Sequence, residues 1–116
     1  MNKPINIRKI EQLFEGAPDE LATFIVVILA QFAEYEKEIA VAVSNRNYLA
    51  VKDLRHKIKS ICLSFDVPNI LEEMLELMSL LEAEKPDDDA LQSKLSQLHQ
   101  SMHWVVSEIK IFQSQK

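Results

Sequence analysis

The chemistry available to this chain centres on a histidine, His56, set among positive charges. A solvated imidazole is substantially neutral at pH 7, and its unprotonated nitrogen is a nucleophile toward phosphorus. Phosphoryl transfer puts negative charge on equatorial oxygens, which the ammonium group of Lys59 can stabilise. Ser60 is small and leaves room beside the ring. The surrounding segment has four cationic residues and one acid: Lys52, Arg55, Lys57, Lys59 and Asp53. A histidine in this setting can accept a phosphoryl group, and the alternative is an ordinary surface histidine.

Two further histidines and the single cysteine are the other reactive side chains. His99 and His103 are four residues apart, a spacing at which two imidazoles on a helix can bind one metal ion. Neither a cysteine, a third histidine nor a well-placed carboxylate completes such a site in the sequence, so we expect no metal. Cys62 borders an apolar stripe and is expected to be a small buried hydrophobe. We assign it no role.

The helix that carries His56 is predicted over residues 47–65. Its apolar positions recur at intervals of three and four, as on one face of a helix. At about 100° per residue, His56 projects nearly opposite this stripe, into solvent. Lys52, Lys59, Ser60 and Leu63 fall on the same outward side. The apolar stripe consists of Val51, Leu54, Ile58, Ile61 and Phe65.

Helical periodicity continues through almost the whole chain of 116 residues, and no segment alternates with the period of two that is typical of a strand. The predicted helices are 5–15, 18–44, 47–65, 68–84 and 88–113. The second and the last each have an apolar stripe in steps of three and four: Leu21, Ile25, Ile28, Phe32, Tyr35, Ile39 and Ala42, and Leu91, Leu95, Leu98, Met102, Val105, Ile109 and Phe112. Gly16, Pro18 and Pro68 mark helix boundaries. We therefore expect an all-α fold, a single domain over 1–116, arranged as an antiparallel up-down four-helix bundle with a short extra N-terminal helix.

Composition excludes several classes of function. A net charge of −5 argues against nucleic acid as the main partner, because that binding depends on neutralising phosphates. The only glycine, Gly16, rules out glycine-rich phosphate loops. The longest apolar stretch, 21–33, is too short to span a bilayer, and no signal peptide is evident. We expect a cytoplasmic protein without a membrane partner, and the exposed charges favour a monomer.

The segment LRHKIKS, residues 54–60, resembles the signature of histidine-containing phosphotransfer (HPt) domains: His, any residue, Leu or Ile, Lys, then usually Gly. Chain length and the order of the helices are also similar to that family. Three positions depart from its pattern. Arg55 stands where a small residue is usual, Ser60 replaces the usual glycine, and Asp66 replaces a common glycine near the end of the histidine helix.

The resemblance implies a relay protein without turnover of its own. His56 would receive a phosphoryl group on its far imidazole nitrogen and pass it on, with Lys59 as stabiliser and Ser60, Arg55 and Lys52 as neighbours. The implied partners are the receiver domain of a response regulator, a hybrid sensor histidine kinase, or both. The chain itself needs no cofactor, since Mg²⁺ belongs to the receiver. Candidate docking residues are Leu63, Val26 and Leu29.

Two alternatives remain open at this stage. The chain could be an HPt-like interaction module that binds a receiver or kinase without phosphotransfer, or a metal-binding bundle that uses His99 and His103. On the long second helix, the apolar surface is wider than one stripe because of Ala22, Val26, Leu29 and Ala33. This surface either contacts a partner or is covered by the N-terminal helix.

Overall fold

Five helices make up the fold in a computed structural model that describes residues 7–83, 85 and 87–115. No strand occurs among these residues, so the all-α prediction is confirmed. The predicted helix boundaries agree with the observed ones to within two residues wherever both can be compared. Residue 5, the predicted start of the first helix, and residue 84, the predicted end of the fourth, lie outside the described residues. The helices are α1 (Ile7–Leu13), α2 (Pro18–Ser44), α3 (Tyr48–Ser64), α4 (Pro68–Glu82) and α5 (Asp88–Ser114).

Two helices, α3 and α5, begin at a side-chain cap, and two, α2 and α4, begin at a proline. Asn47 caps α3, its side-chain oxygen accepting a hydrogen bond of 3.0 Å from the N–H of Ala50. Asp87 caps α5 in the same way, accepting from Asp89 N at 2.9 Å and from the next residue at 3.2 Å. Pro68 occupies the first turn of α4, where its missing N–H costs nothing.

The short connections α2–α3 and α3–α4 each have a central residue in the left-handed conformation. Arg46 has φ 53° and Asp66 has φ 56°. After Asp66, the N–H of Val67 donates to the carbonyl of Cys62 at 2.9 Å, which closes the helix end in a Schellman arrangement. This conformation favours glycine, so the structure gives a physical reason why a glycine would suit the position of Asp66.

The hydrophobic core is built from the predicted stripes. Every member of the α3 stripe is buried, and so is every member of the α5 stripe that runs from Leu91 to Phe112 in steps of three and four. In α2 the stripe from Leu21 to Ala42 is buried except for Tyr35, which packs against the core while partly exposed. Burial of these stripes fixes the rotation of each helix about its own axis.

Neighbouring helices pack in a closed order. α2 contacts α3 and α5, and α4 contacts the same two helices from the other side. α1 adds its buried Ile10 to the core, and Phe14, which follows α1, lies 5.1 Å from the ring of Phe24. Within the described part of the chain, we find no helix with the length and apolar character needed to cross a bilayer.

Candidate functional site: the exposed face of helix α3

His56 lies at the midpoint of α3 with its side chain exposed, as the helical phase predicted. The opposite side of the helix is buried through Val51, Leu54 and Ile58. The Asn47 cap fixes the start of the helix. The imidazole is therefore presented to solvent from a rigid element, which is what positioned chemistry requires.

The positive charges around His56 are not equivalent. Lys57 forms an ion pair of 3.1 Å with Asp53, and this partner raises the pKa of the Lys57 ammonium. Arg55 is half-buried, and its Nε donates a hydrogen bond of 3.0 Å to the carbonyl of Leu71 on α4. This contact ties α3 to α4, so Arg55 has a structural task in addition to its charge.

Lys52 and Lys59 are the cations left for a ligand. Both are exposed, and neither forms an ion pair with any residue in the described ranges. They lie one turn before and one turn after His56 on its outward side. Both ammonium groups are therefore available to an anionic ligand without breaking an ion pair to any described residue.

Apolar side chains close both ends of this face. Leu63, seven residues after His56, is 49% exposed, as predicted. Leu49, seven residues before it, is 71% exposed and was missed, although a spacing of seven in a helix signals a shared face. Both leucines are therefore available for apolar contacts with a bound partner. We call this set the His56 face: Leu49, Lys52, His56, Lys59, Ser60 and Leu63.

Ser60 is exposed beside His56. Its carbonyl accepts a hydrogen bond of 2.8 Å from the hydroxyl of Ser64. Its own hydroxyl makes no hydrogen bond with the residues that the structure describes, so it is free to turn toward the imidazole or toward a partner.

The two α2 residues predicted to dock a partner lie elsewhere. Leu29 is half-buried in a groove between α2 and α5, beside Val106 and Lys110, and no residue of α3 lines that groove. Val26 is 56% exposed. On its other side, α2 forms a groove with α3, and Glu34 is one of the residues that line this groove. Val27 lies seven residues before Glu34 and therefore on the same side of α2, toward α3. Val27 is 46% exposed, and the sequence-based prediction of docking residues did not include it.

His99 and His103 meet a carboxylate that the sequence did not reveal. Glu36 of α2 lies across from both, with its oxygens 2.8 and 3.0 Å from Nε2 of His103. Nδ1 of His99 is 3.9 Å from Oε1 of the same group, while its Nε2 is buried with no hydrogen-bond partner in the described structure. No group of three or more potential ligands among the described residues is arranged to hold a metal ion.

Cys62 is fully buried, as predicted from its place beside the stripe. Burial raises the pKa of its thiol to about 12, an effect that the charge of Arg55 opposes. Because the thiolate is the reactive form, Cys62 is chemically inert in the folded protein.

Glu73 of α4 is a buried carboxyl that the sequence did not single out. It is 7% exposed and accepts a hydrogen bond of 2.9 Å from the hydroxyl of Ser101. Burial raises its pKa, while the bond from Ser101 and the charge of Lys94 act in the opposite direction. Because its neighbours belong to α4 and α5, this carboxyl lies outside the His56 face.

Comparison with known proteins adds no family: no family model, curated protein or solved structure matches the chain. The residues of the His56 face therefore carry the functional argument.

Proposed function

We propose that this chain is a histidine phosphotransfer protein of a two-component phosphorelay, with His56 as the phosphoryl acceptor. The observation that carries the proposal is the position of His56, exposed at the centre of α3 between two lysines with no ion pair among the described residues. The donor is the aspartyl phosphate of a receiver domain, and a receiver or a hybrid sensor kinase is the partner. In this role α2 to α5 form an antiparallel up-down four-helix bundle and α1 is the extra N-terminal helix.

The imidazole is the group of this chain that forms and breaks bonds in the transfer step. The lone pair of Nε2 of His56 attacks the phosphorus, an N–P bond forms, and the P–O bond to the aspartate breaks. Its electron pair leaves on the aspartate carboxylate, and the ring carries a positive charge until the proton on its other nitrogen is lost. Mg²⁺ and the aspartate belong to the receiver. The reverse step, to a second receiver, passes the group on.

Lys59 and Lys52 contribute electrostatically. Charge on the transferred group is spread over its three equatorial oxygens, and an ammonium held nearby stabilises that charge. Since neither lysine is engaged elsewhere within the described residues, neither has to break an ion pair in order to act. Leu49 and Leu63 supply the apolar contacts that exclude water around the reacting atoms.

The experiment is incubation of the chain with a receiver domain carrying a radioactive phosphoryl group. We expect acid-labile label on the wild type and none on His56→Gln. His103→Gln is the matched control, because His103 is exposed but lies on α5 beside Glu36; it should be labelled like the wild type. Absence of label from the wild type, or its retention by His56→Gln, contradicts the proposal.

A second candidate is an interaction module that binds a receiver or kinase without phosphotransfer. The observation in its favour is Ser60, whose hydroxyl has no hydrogen-bond partner in the described structure and stands one turn from His56. Binding of a receiver without transfer of label would support this candidate. Appearance of label on Ser60→Gly under the same conditions would identify the hydroxymethyl group as the obstacle, whereas an unlabelled Ser60→Gly would exclude that cause.

A further inference from the structure

The outward side of α2 carries a second stripe that the core does not use. Its members recur at intervals of three and four, and all of them are exposed. The stripe lies away from the buried positions of the same helix, such as Ile25 and Phe32. We call it the α2 outer stripe: Asp19, Ala22, Val26, Ala30, Ala33 and Lys37.

The centre of this stripe lacks the charges of a solvated helix face. Residues 21–33 contain no charged side chain, although helix faces that meet water are usually rich in charged and polar residues. Val26 remains 56% exposed, so the N-terminal helix does not cover it. Three of the four apolar members are alanine, whose short side chain allows a second helix to approach closely.

The two ends of the stripe carry opposite charges. Asp19 and Lys37 are 18 residues apart, about five helical turns, so they point in the same direction. Neither forms an ion pair with a residue that the structure describes. If two copies of this stripe are placed antiparallel, the anion of each copy lies opposite the cation of the other.

We propose that the α2 outer stripe is the interface of an antiparallel homodimer. A twofold axis at the level of residue 28 brings Asp19 of one copy opposite Lys37 of the other, and does so twice. The same axis brings Val26 of one copy opposite Ala30 of the other. One twofold axis thus pairs the opposite charges at the ends and the apolar residues at the centre. Because a single axis does both, we infer that the partner is a second copy of this chain and not a different protein.

This dimer is weak and leaves the His56 face open. Paired helices over about 27 Å bury less area than the roughly 1,600 Å² of a standard interface, so we expect a dissociation constant of about 100 µM. The interface lies on α2, whereas His56 lies on α3. The sequence-based expectation of a monomer rested on exposed charges, and the centre of this stripe has none.

Sedimentation equilibrium of the full chain tests the proposal, over protein concentrations from about 5 µM to about 1 mM, on both sides of the expected constant. The wild type should shift from monomer to dimer across this range. Asp19→Lys and Lys37→Asp should each weaken the dimer by about tenfold, because two attractive pairs become two repulsive ones. A wild type that remains monomeric throughout overturns the proposal.

Mixing the two variants gives the sharper result. In the mixture, the lysine introduced at position 19 faces the aspartate introduced at position 37, and the unchanged Lys37 faces the unchanged Asp19. We expect the mixture to dimerise like the wild type, although each variant alone dimerises about tenfold more weakly. A mixture that stays as monomeric as its components, when the wild type dimerises, overturns this interface.

Two further variants separate the interface from effects on folding. Glu20→Lys reverses a charge in the same first turn but on another side of α2, and should leave the dimer constant within about twofold. Ala30→Glu puts bulk and charge at the centre and should weaken the dimer at least about tenfold. Far-UV circular dichroism confirms that each variant is folded. An unchanged dimer in Ala30→Glu, or a loss in Glu20→Lys equal to that in Asp19→Lys, contradicts the proposal.

Discussion

Glu73 offers a test of the core through the pH dependence of folding. Glu73 is 7% exposed, between α4 and α5. Oε1 accepts hydrogen bonds from Ser101 at 2.9 Å and from Gln97 at 3.5 Å, while the buried Oε2 has no partner in the described structure. Burial raises the pKa of Glu73 above its ordinary value of 4.5. The folded protein therefore binds this proton more tightly than the unfolded chain does.

The sign of the effect follows from that difference. The contribution of Glu73 to stability is fully present below the unfolded pKa and is lost as the pH rises through the higher folded pKa. Glu73→Gln keeps the shape and the oxygen that accepts from Ser101 but removes the charge. A buried acceptor left unsatisfied costs about 1–3 kcal/mol, and a charged acceptor costs more. We expect the variant to match the wild type within about 0.5 kcal/mol at pH 4 and to be about 1–2 kcal/mol more stable at pH 7.

Urea unfolding followed by far-UV circular dichroism at several pH values between 4 and 8 measures this difference. Thermal unfolding should show a gain of about 3–6 °C per kcal/mol for a chain of this size. Glu72→Gln is the matched control, since Glu72 is adjacent but exposed, and its difference from the wild type should stay nearly constant with pH. A pH-independent difference for Glu73→Gln, or a less stable variant at pH 7, would refute the reasoning.

Further predictions concern the His56 face and the ends of its helix. Lys59→Ala should slow phosphotransfer by about 3–10-fold in initial-rate labelling. Lys57→Ala removes a lysine that is already paired with Asp53, so it should change the rate by less than about twofold. Equal losses in the two variants would contradict this distinction between the lysines. Asp66→Gly should raise the free energy of unfolding by about 0.5–1 kcal/mol because glycine adopts the positive φ of this position without strain, and Asp66→Ala should lower it. Thermal denaturation measures both changes, and the opposite order of stability would refute the assignment of backbone strain to Asp66. Asn47→Ala should cost about 1 kcal/mol in urea unfolding through loss of the cap, and an unchanged midpoint would show that the cap contributes nothing.

The sequence determined the features that depend on one helix at a time. Spacing of apolar residues identified the five helices, the buried stripes of α3 and α5, and the exposure of His56 and Leu63. This is possible because a helix turns by a fixed angle per residue, so the direction of each side chain relative to the stripe follows from its number alone. Leu49 could have been found by the same rule.

Only the tertiary structure decided which residues of different helices meet. Three contacts depend on how neighbouring helices are rotated and offset. They are the hydrogen bond from Arg55 to the carbonyl of Leu71, the contact of Glu36 with His103, and the position of Leu29 beside α5. Periodicity within one helix carries no information about that offset, because many offsets bury the same stripe equally well. The sequence thus defined the His56 face except for Leu49, whereas only helix packing showed that the neighbouring Arg55 is held by α4.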